Sequence, residues 1–222
     1  MAAEPLSIPV PGHGDVSALW QAPAGAWAGL VLAHGAGAGM THKSMAAIAD
    51  GLEGLGVATL RYQFPYMERG SKRVDAAPVA HATVRAAAAA AKARAAGLPL
   101  FAGGRSFGGR MTSQAQAAAP LDGIRGLVFF AFPLHPAGKP STDRAAHLDE
   151  VAVPMLFLQG DNDALAELAL LRTTVDRLGS RARLHLLAHA DHAFHAPART
   201  GRKDPEVLAE ALAAATDWMR GV

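Results

Sequence analysis

The sequence of 222 residues predicts an α/β fold, in which a mostly parallel eight-stranded sheet carries helices on both faces. Short apolar, β-like segments alternate along the chain with segments that have the periodicity of amphipathic helices. Several β-like segments are apolar at nearly every position, which is typical of strands buried on both sides of a parallel sheet. No repeat or linker interrupts the alternation, so residues 1–222 are predicted to form one domain.

Eight segments of the chain are predicted as strands. The first two flank a turn at residues 12–15, and the glycine-rich segment 34–39 follows the third. Ligands of such sheets bind beyond the carboxyl ends of the strands, so the residues just past those ends are the candidates for function. The predicted strands are residues 5–10, 16–21, 30–33, 57–61, 98–103, 126–132, 154–160 and 182–187.

Helices are predicted between these strands from apolar residues spaced three and four apart. Asp75 is predicted to cap a helix that runs through the alanine-rich segment to residue 96, with Pro78 in its first turns. Asp204 is predicted to cap the last helix, with Pro205 at its first position. The remaining predicted helices are residues 44–55, 111–119 and 164–178.

Composition and charge argue against several classes of protein. Half of the residues are apolar and 18% are charged, which excludes a disordered chain. The formal net charge is only +2 and the basic residues are scattered, so no nucleic-acid partner is expected. The chain contains no cysteine, which excludes a disulfide framework, a zinc–thiolate site and a cysteine nucleophile.

The predicted location and partners follow from what the segments resemble. The N-terminus has no basic start followed by an apolar run, and no apolar stretch long enough to cross a membrane lacks a charge. A cytoplasmic protein with no membrane partner is therefore expected. No cofactor and no metal are expected, and a homo-oligomer stays possible.

The most informative motif is Gly104-Arg105-Ser106-Phe107-Gly108. It matches G-x-S-x-G between a predicted strand and a helix-compatible segment, which is the context of a nucleophile elbow. Small residues at positions 104 and 108 would let strand and helix approach, and the Ser106 hydroxyl would be exposed at the tip. The alternative is a glycine loop in which Ser106 only caps the helix.

A serine nucleophile needs a base and a group that orients the base. Asp163 and Asp161 both follow the strand 154–160 and are the candidates for the orienting acid. Asp163 is the first choice and Asp161 the second, because the loop after this strand must reach back toward the imidazole. If Ser106 stands on a nucleophile elbow, the acid and then the histidine are expected to follow it along the chain. The alternative for Asp163 is that it only caps the following helix.

The candidate base is His192, in the segment that follows the last predicted strand. His189 and His195 are the other candidates. These three histidines, together with Asp191, could also be metal ligands, but a loop would not hold that spacing on one face as a helix would.

Acyl transfer also needs donors for the developing oxyanion. One donor is expected to be the backbone N–H of Phe107. The other is expected from the glycine-rich segment 34–39, where Ala36 is the first choice and Gly37 the second. His34 is expected to be a structural hydrogen-bonding group beneath the site.

Together these features resemble the α/β-hydrolase superfamily over nearly the whole chain. Segments 103–110 and 61–66 are similar to a compact subfamily near the dienelactone-hydrolase-like proteins, which includes the KAT8 regulatory complex subunit 3 and testis-expressed protein 30 type of hydrolase domain. The resemblance implies an α/β-hydrolase fold with a Ser106, Asp163 and His192 triad. True dienelactone hydrolases have a cysteine nucleophile where this chain has Ser106. The segment 133–153 is short, so no large lid is expected.

Other residues near strand ends bear on the substrate. Tyr62, Phe64 and Phe132 could wall a substrate pocket or could be ordinary packing. Arg105 and Arg110 flank the elbow, where they could attract an anionic substrate or form ion pairs inside the fold.

Two functional hypotheses follow. The first is a carboxylesterase-like serine hydrolase that cleaves small esters or thioesters through an acyl-serine intermediate. The alternative is a catalytically weak, hydrolase-like scaffold that acts as a protein-binding module.

Overall fold

A computed structural model describes residues 3–95 and 97–222. Eight strands form one sheet: β1 (Glu4–Val10), β2 (Gly14–Gln21), β3 (Ala28–Ala33), β4 (Val57–Tyr62), β5 (Leu100–Arg105), β6 (Ile124–Phe130), β7 (Met155–Gly160) and β8 (Ala182–Leu187). The α-helices of the described residues are α1 (Lys43–Gly54), α2 (Pro65–Glu68), α3 (Ala77–Arg94), α4 (Phe107–Ala118), α5 (Leu168–Leu178) and α6 (Asp204–Arg220).

The strand order in the sheet is β1-β2-β4-β3-β5-β6-β7-β8. The first two strands pair antiparallel and β2 also runs antiparallel to β4, whereas all pairs from β4 to β8 are parallel. The prediction of a mostly parallel, eight-stranded sheet is therefore confirmed. The carboxyl ends of β3, β5, β7 and β8 meet at one edge, which is where the predicted site residues follow their strands.

Helices cover both faces of this sheet, as predicted. Every residue of β3, β4 and β7 is buried, because apolar layers lie above and below these strands. On one face the core includes Met45 and Ile48 of α1 together with Val207 of α6. On the other face it includes Val84 of α3 and Met111 of α4.

The predicted helix start at Asp75 is wrong. Helix α3 begins at Ala77, with Ala76 in the N-cap position and no side-chain cap. The Asp75 carboxylate instead accepts hydrogen bonds from the Tyr66 backbone N–H at 2.9 Å and from Arg69 at 2.7 Å. These contacts hold the one-turn helix α2, which the sequence analysis did not predict.

Other helix starts also differ from the prediction. Helix α4 begins at Phe107, directly at the elbow, and not at residue 111. Helix α5 begins at Leu168 and not at residue 164, and the backbone N–H of its N-cap residue, Glu167, donates to His135 Nε2 at 2.8 Å. Asp204 is the first helical residue of α6, and Lys203 is the N-cap.

The connection between β6 and β7 is short, as predicted. It contains one 3-10 helical segment, Asp143–Glu150, and no other helix among the described residues lies between these two strands. Among residues 3–95 and 97–222, no helix has the length and the apolar character that a membrane crossing requires.

Candidate active site

Ser106 occupies a strained position between strand β5 and helix α4. Its φ is +49° and its ψ is −115°, a conformation that residues other than glycine rarely adopt. The Ser106 N–H donates to the Phe130 carbonyl of β6 at 3.0 Å, which ties the turn to the neighbouring strand. Strain of this kind is held only where the surrounding structure enforces it, and it is common at functional sites.

The glycines of the motif allow the close approach that creates this turn. A Cβ on Gly104 would lie 2.4 Å from the Ala33 carbonyl oxygen of β3. A Cβ on Gly108 would lie 2.5 Å from the His34 carbonyl oxygen. Both distances are far below van der Waals contact, so only glycine fits at either position.

Three predicted side chains come together at this edge of the sheet. The Nε2 atom of His192 lies 2.8 Å from the Ser106 Oγ atom. The Nδ1 atom of the same ring lies 2.7 Å from the Asp163 Oδ2 atom. A carboxylate at Nδ1 favours the tautomer with the proton there, which leaves Nε2 free to accept the serine proton.

The Asp163 carboxylate is fully buried and satisfied by hydrogen bonds. Its Oδ1 atom accepts the Leu165 backbone N–H at 2.7 Å, and its Oδ2 atom accepts the Gln159 side-chain amide at 2.5 Å. The structure therefore brings Asp163 to His192, whereas Asp161 has no hydrogen bond to the imidazole within the described chain.

Gln159 is a site residue that the sequence analysis missed. It is fully buried at the carboxyl end of β7, and its side-chain oxygen accepts the Phe132 backbone N–H at 2.9 Å. The only sequence signal is a polar residue inside an otherwise apolar strand. Such a residue must find hydrogen-bond partners when it is buried, and here one partner is Asp163.

The loop that carries His192 packs tightly on the end of β7. A Cβ on Gly160 would lie 2.2 Å from the Ala190 carbonyl oxygen, and that oxygen accepts the Asn162 N–H at 3.0 Å. The Asp191 Oδ1 atom accepts the backbone N–H groups of Ala193 at 2.7 Å and His195 at 3.0 Å. These bonds fix the turn on which the imidazole stands.

The other two candidate histidines of this loop have different surroundings. His195 faces Asp204, with 2.9 Å between its Nδ1 atom and the carboxylate, and this pairing raises its pKa. His189 is exposed, at a φ of +64°. Of the three, the structure places only His192 beside Ser106.

The segment after β3 lies opposite the elbow. A Cβ on Gly35 would lie 3.8 Å from the Ser106 Cβ atom, so the backbone passes close to the nucleophile candidate. His34 is fully buried, and its Nε2 atom accepts the Phe64 N–H at 3.1 Å. Its Nδ1 atom therefore carries the proton and donates to the Gly35 carbonyl at 2.8 Å. Burial lowers the pKa of His34, which favours this neutral form.

The two predicted oxyanion donors lie at the same place. Ala36 lines a cleft of about 340 Å³ that also contains Ser106 and His192. Phe107 is the first residue of α4. At this end of the helix, the Arg110 backbone N–H donates to the Ser106 carbonyl at 3.1 Å. Within the described chain, neither the Ala36 nor the Phe107 N–H donates to another protein group.

The aromatic residues predicted for a substrate pocket are completely buried. The ring of Phe64 packs edge-on against Tyr62 and Phe107, with centroids 5.4 and 5.3 Å away. The ring of Phe132 packs against Phe129 at 5.2 Å. None of Tyr62, Phe64 and Phe132 lines the cleft around Ser106, so the structure places them beneath the site and not in its wall.

The arginines that flank the elbow form no ion pairs with the described residues. Arg105 donates to the His192 backbone carbonyl at 3.3 Å, and the positive charge of Arg144 acts together with burial to lower the pKa of Arg110. Burial lowers the pKa of both guanidinium groups. The interpretation that they serve as internal salt bridges is therefore wrong.

Comparisons with known proteins agree with this architecture. The family described as alpha/beta hydrolase domain matches residues 26–220. Two solved structures each share 22% identity and a TM-score of 0.77 with the chain. One is a serine hydrolase without lid from Xanthomonas campestris, and the match covers 98% of this chain and 95% of that one. The other is an alpha-beta serine hydrolase homologue from Coxiella burnetii, and the match covers 96% of each chain.

A dienelactone hydrolase from Anabaena variabilis shares 19% identity with a TM-score of 0.80, over 99% of this chain and 97% of that one. Similarity at this level of identity shows a common fold. The family match covers nearly the whole chain and does not depend on these structures. The chain belongs to the alpha/beta hydrolase domain family.

Proposed function

We propose that this protein is a serine hydrolase that cleaves small ester or thioester substrates through an acyl-Ser106 intermediate. One observation carries the proposal: a continuous hydrogen-bond chain joins the Ser106 Oγ atom, both nitrogens of His192 and the Asp163 carboxylate. Hydroxyl, imidazole and carboxylate in this order are the parts that acyl transfer requires.

Acylation begins when the Ser106 oxygen attacks the carbonyl carbon of the substrate. His192 Nε2 takes the hydroxyl proton, and the carbonyl electrons move to its oxygen, which becomes an oxyanion. The N–H groups of Phe107 and Ala36 are the proposed donors to that oxyanion. When the tetrahedral species collapses, the carbon–oxygen or carbon–sulfur bond breaks and the leaving group receives the proton from His192.

Deacylation repeats the sequence with water in place of the serine. His192 takes a proton from water as its oxygen attacks the acyl carbon, and then returns a proton to the Ser106 Oγ atom. Asp163 stays ionised throughout, orients the ring and stabilises the imidazolium that forms in each half-reaction.

The openness of the site supports small substrates. The cleft that contains Ser106 has about 340 Å³, and the short β6–β7 connection leaves it uncovered. A volume in this range is typical of small-molecule pockets. The proposed chemistry uses only side chains and backbone groups of this chain, so it needs no cofactor. We propose that all of these groups belong to one catalytic domain. The cytoplasmic location stays a prediction.

A fluorophosphonate probe tests whether Ser106 is an activated nucleophile. We expect stoichiometric labelling of the wild-type protein, loss of labelling in Ser106→Ala and full labelling in Ser180→Ala, which removes an exposed hydroxyl. Absence of labelling in folded wild-type protein would contradict the hydrolase and favour the alternative of a hydrolase-like protein-binding scaffold.

Steady-state kinetics with p-nitrophenyl esters of graded chain length tests the rest of the proposal. Removal of the serine or the histidine of such a site lowers kcat roughly a millionfold. We expect Ser106→Ala and His192→Ala each to lose nearly all turnover. Esterase activity that survives in Ser106→Ala would overturn the assignment.

A further inference from the structure

A second cavity adjoins the cleft that contains Ser106. It has about 410 Å³, and most of its wall is apolar, with Ile48 of α1, Phe194 and Leu208 of α6. Arg105 and Ser44 line both spaces, so the cavity opens beside the proposed nucleophile. A substrate held at Ser106 can therefore extend an apolar segment into it.

Arg105 is the charged group at the junction of the two spaces. It is the last residue of β5 and is half-buried. One N–H of its guanidinium donates to the His192 carbonyl at 3.3 Å. No carboxylate of residues 3–95 and 97–222 lies within 4.0 Å of it. A guanidinium has five N–H donors in a fixed fork, so most of its hydrogen-bonding capacity is left for another molecule.

The acidic groups nearest to Arg105 are already engaged elsewhere. Asp163 and Asp191 both act on its charge from a distance. Asp163 accepts hydrogen bonds from His192 and Gln159, and Asp191 accepts the backbone N–H groups of its own turn. A half-buried cation without a close counter-charge is poorly solvated, and an anion that reaches it gains a charge-assisted hydrogen bond.

The remaining charged residues of the cavity wall are Lys43 and Asp204. The Asp204 carboxylate is hydrogen-bonded to His195 Nδ1 at 2.9 Å and accepts the Ala196 backbone N–H at 3.1 Å. Lys43 is exposed and forms no ion pair with the described residues, so it adds a second positive charge at the wall. The charge available to a ligand in this cavity is therefore positive.

We propose that the substrate is an anionic ester or thioester, with an apolar segment that fills the adjoining cavity and a carboxylate that binds the Arg105 guanidinium. This inference rests on the proposed function and specifies its substrate class. The carboxylate can belong to the acyl part or to the leaving group, since both parts radiate from the carbon that Ser106 attacks. Hydrolysis then releases a dicarboxylic acid if the acyl part carries the carboxylate, and a hydroxy or thiol acid if the leaving group carries it.

Matched substrate pairs test the inference and separate the two sources of the carboxylate. The acyl arm compares the p-nitrophenyl monoester of adipic acid with p-nitrophenyl hexanoate. The leaving-group arm compares the acetate ester of hydroxyhexanoate with hexyl acetate. In one of the two arms we expect kcat/KM to favour the anionic substrate about ten- to a hundredfold, which is the usual worth of a hydrogen bond to a charged group.

Two variants attribute this preference to Arg105. We expect Arg105→Gln to reduce the anionic-to-neutral ratio to one or below, and Arg199→Gln, which removes the same charge from an exposed position, to leave the ratio as in the wild type. Arg105→Lys keeps the charge without the fork and is expected to retain part of the preference. If Arg105→Gln does not fold, the Arg105→Lys ratio decides. A wild-type ratio of one or below in both arms would overturn the inference.

A binding measurement distinguishes failure of this inference from failure of the proposed function. In Ser106→Ala, calorimetry should show tighter binding of monomethyl adipate than of methyl hexanoate, and added Arg105→Gln should remove the difference. Selective binding without turnover of any ester by the wild type would support the anion site and refute the hydrolase. Turnover of both ester classes with no selectivity in binding or in kcat/KM would support the hydrolase and refute the anion site.

Discussion

Gln159 donates its side-chain amide to the same oxygen of Asp163 that accepts His192, at distances of 2.5 and 2.7 Å. The other end of the Gln159 amide accepts the Phe132 N–H from beyond β6. One buried side chain therefore joins two neighbouring strand ends to the proposed triad. Because Gln159 does not reach the cleft, its expected role is to position Asp163, not to touch the substrate.

We expect Gln159→Leu to lower kcat about ten- to a hundredfold with little change in KM, because Asp163 loses the bond that fixes its carboxylate. The variant also leaves the buried Phe132 N–H unpaired, which costs about 1–3 kcal/mol of unfolding free energy. Steady-state kinetics on a p-nitrophenyl ester, at a temperature where the variant is folded, measures the first effect and urea denaturation the second.

Thr216→Val provides a matched control for this loss of stability. The Thr216 hydroxyl is buried and bonded to the Leu212 carbonyl at 3.0 Å in α6, away from the site. The Thr216→Val substitution should lower the unfolding free energy without lowering kcat. Equal kcat losses in both variants would show that Gln159 acts only through stability.

The acid of the triad can be assigned by comparing two aspartates of one loop. We expect Asp163→Asn to reduce kcat about a thousand- to ten-thousandfold, because an amide at this position stabilises neither the required tautomer nor the imidazolium. Asp161→Asn should reduce kcat less than about tenfold, because Asp161 forms no hydrogen bond to the imidazole within the part of the chain that the structure describes. The kcat of each purified variant decides, and a larger loss in Asp161→Asn would reverse the assignment.

The glycines of the elbow give a prediction about stability. Gly108→Ala should lower the unfolding free energy by about 3 kcal/mol or more, because its Cβ would meet the His34 and Ala33 carbonyl oxygens at 2.5 and 2.6 Å. Gly54→Ala at the end of α1 meets nothing within 4 Å and should instead stabilise by about 0.5–1 kcal/mol. Urea denaturation of the two variants provides the comparison, and equal stabilities would contradict the close packing at the elbow.

The sequence predicted the fold well because periodicity reports burial. Strands such as β7 are apolar at almost every position, and the structure buries all of them. Helix starts were predicted less well, because they depend on contacts with residues outside the helix. Asp75 has the chemistry of an N-cap, but the Tyr66 N–H and Arg69 occupy its carboxylate and the helix starts without it.

The sequence could predict those parts of the site that follow from a residue's type and from its position just after a strand. Ser106, Asp163 and His192 each follow a strand end, so the sequence could place them at one edge. The sequence ranks Asp163 above Asp161 only through the expected course of the loop, because the turn that brings Asp163 to the imidazole is closed by the Leu165 N–H, a contact that no sequence pattern reveals. The partners of Gln159 and Arg105 are likewise set by three-dimensional packing.

The stability of the fold should depend on pH through His147. Burial, together with the neighbouring charges of Arg110 and His81, lowers its pKa to about 4, and its Nε2 atom lies 2.7 Å from the Ser113 hydroxyl. The ordinary value is 6.5, so between these two values the unfolded chain binds the proton that the folded chain excludes. The stabilisation is therefore complete above 6.5 and is lost as the pH falls toward 4.

We expect His147→Gln to flatten the fall in unfolding free energy across this pH window by about 1–2 kcal/mol, a figure reduced for the partial exposure of the ring. Burial also lowers the pKa of His34 and His81, so part of the pH dependence should remain. Urea denaturation at several pH values measures the slopes, and identical slopes for His147→Gln and wild type would show that this imidazole protonates freely in the folded protein.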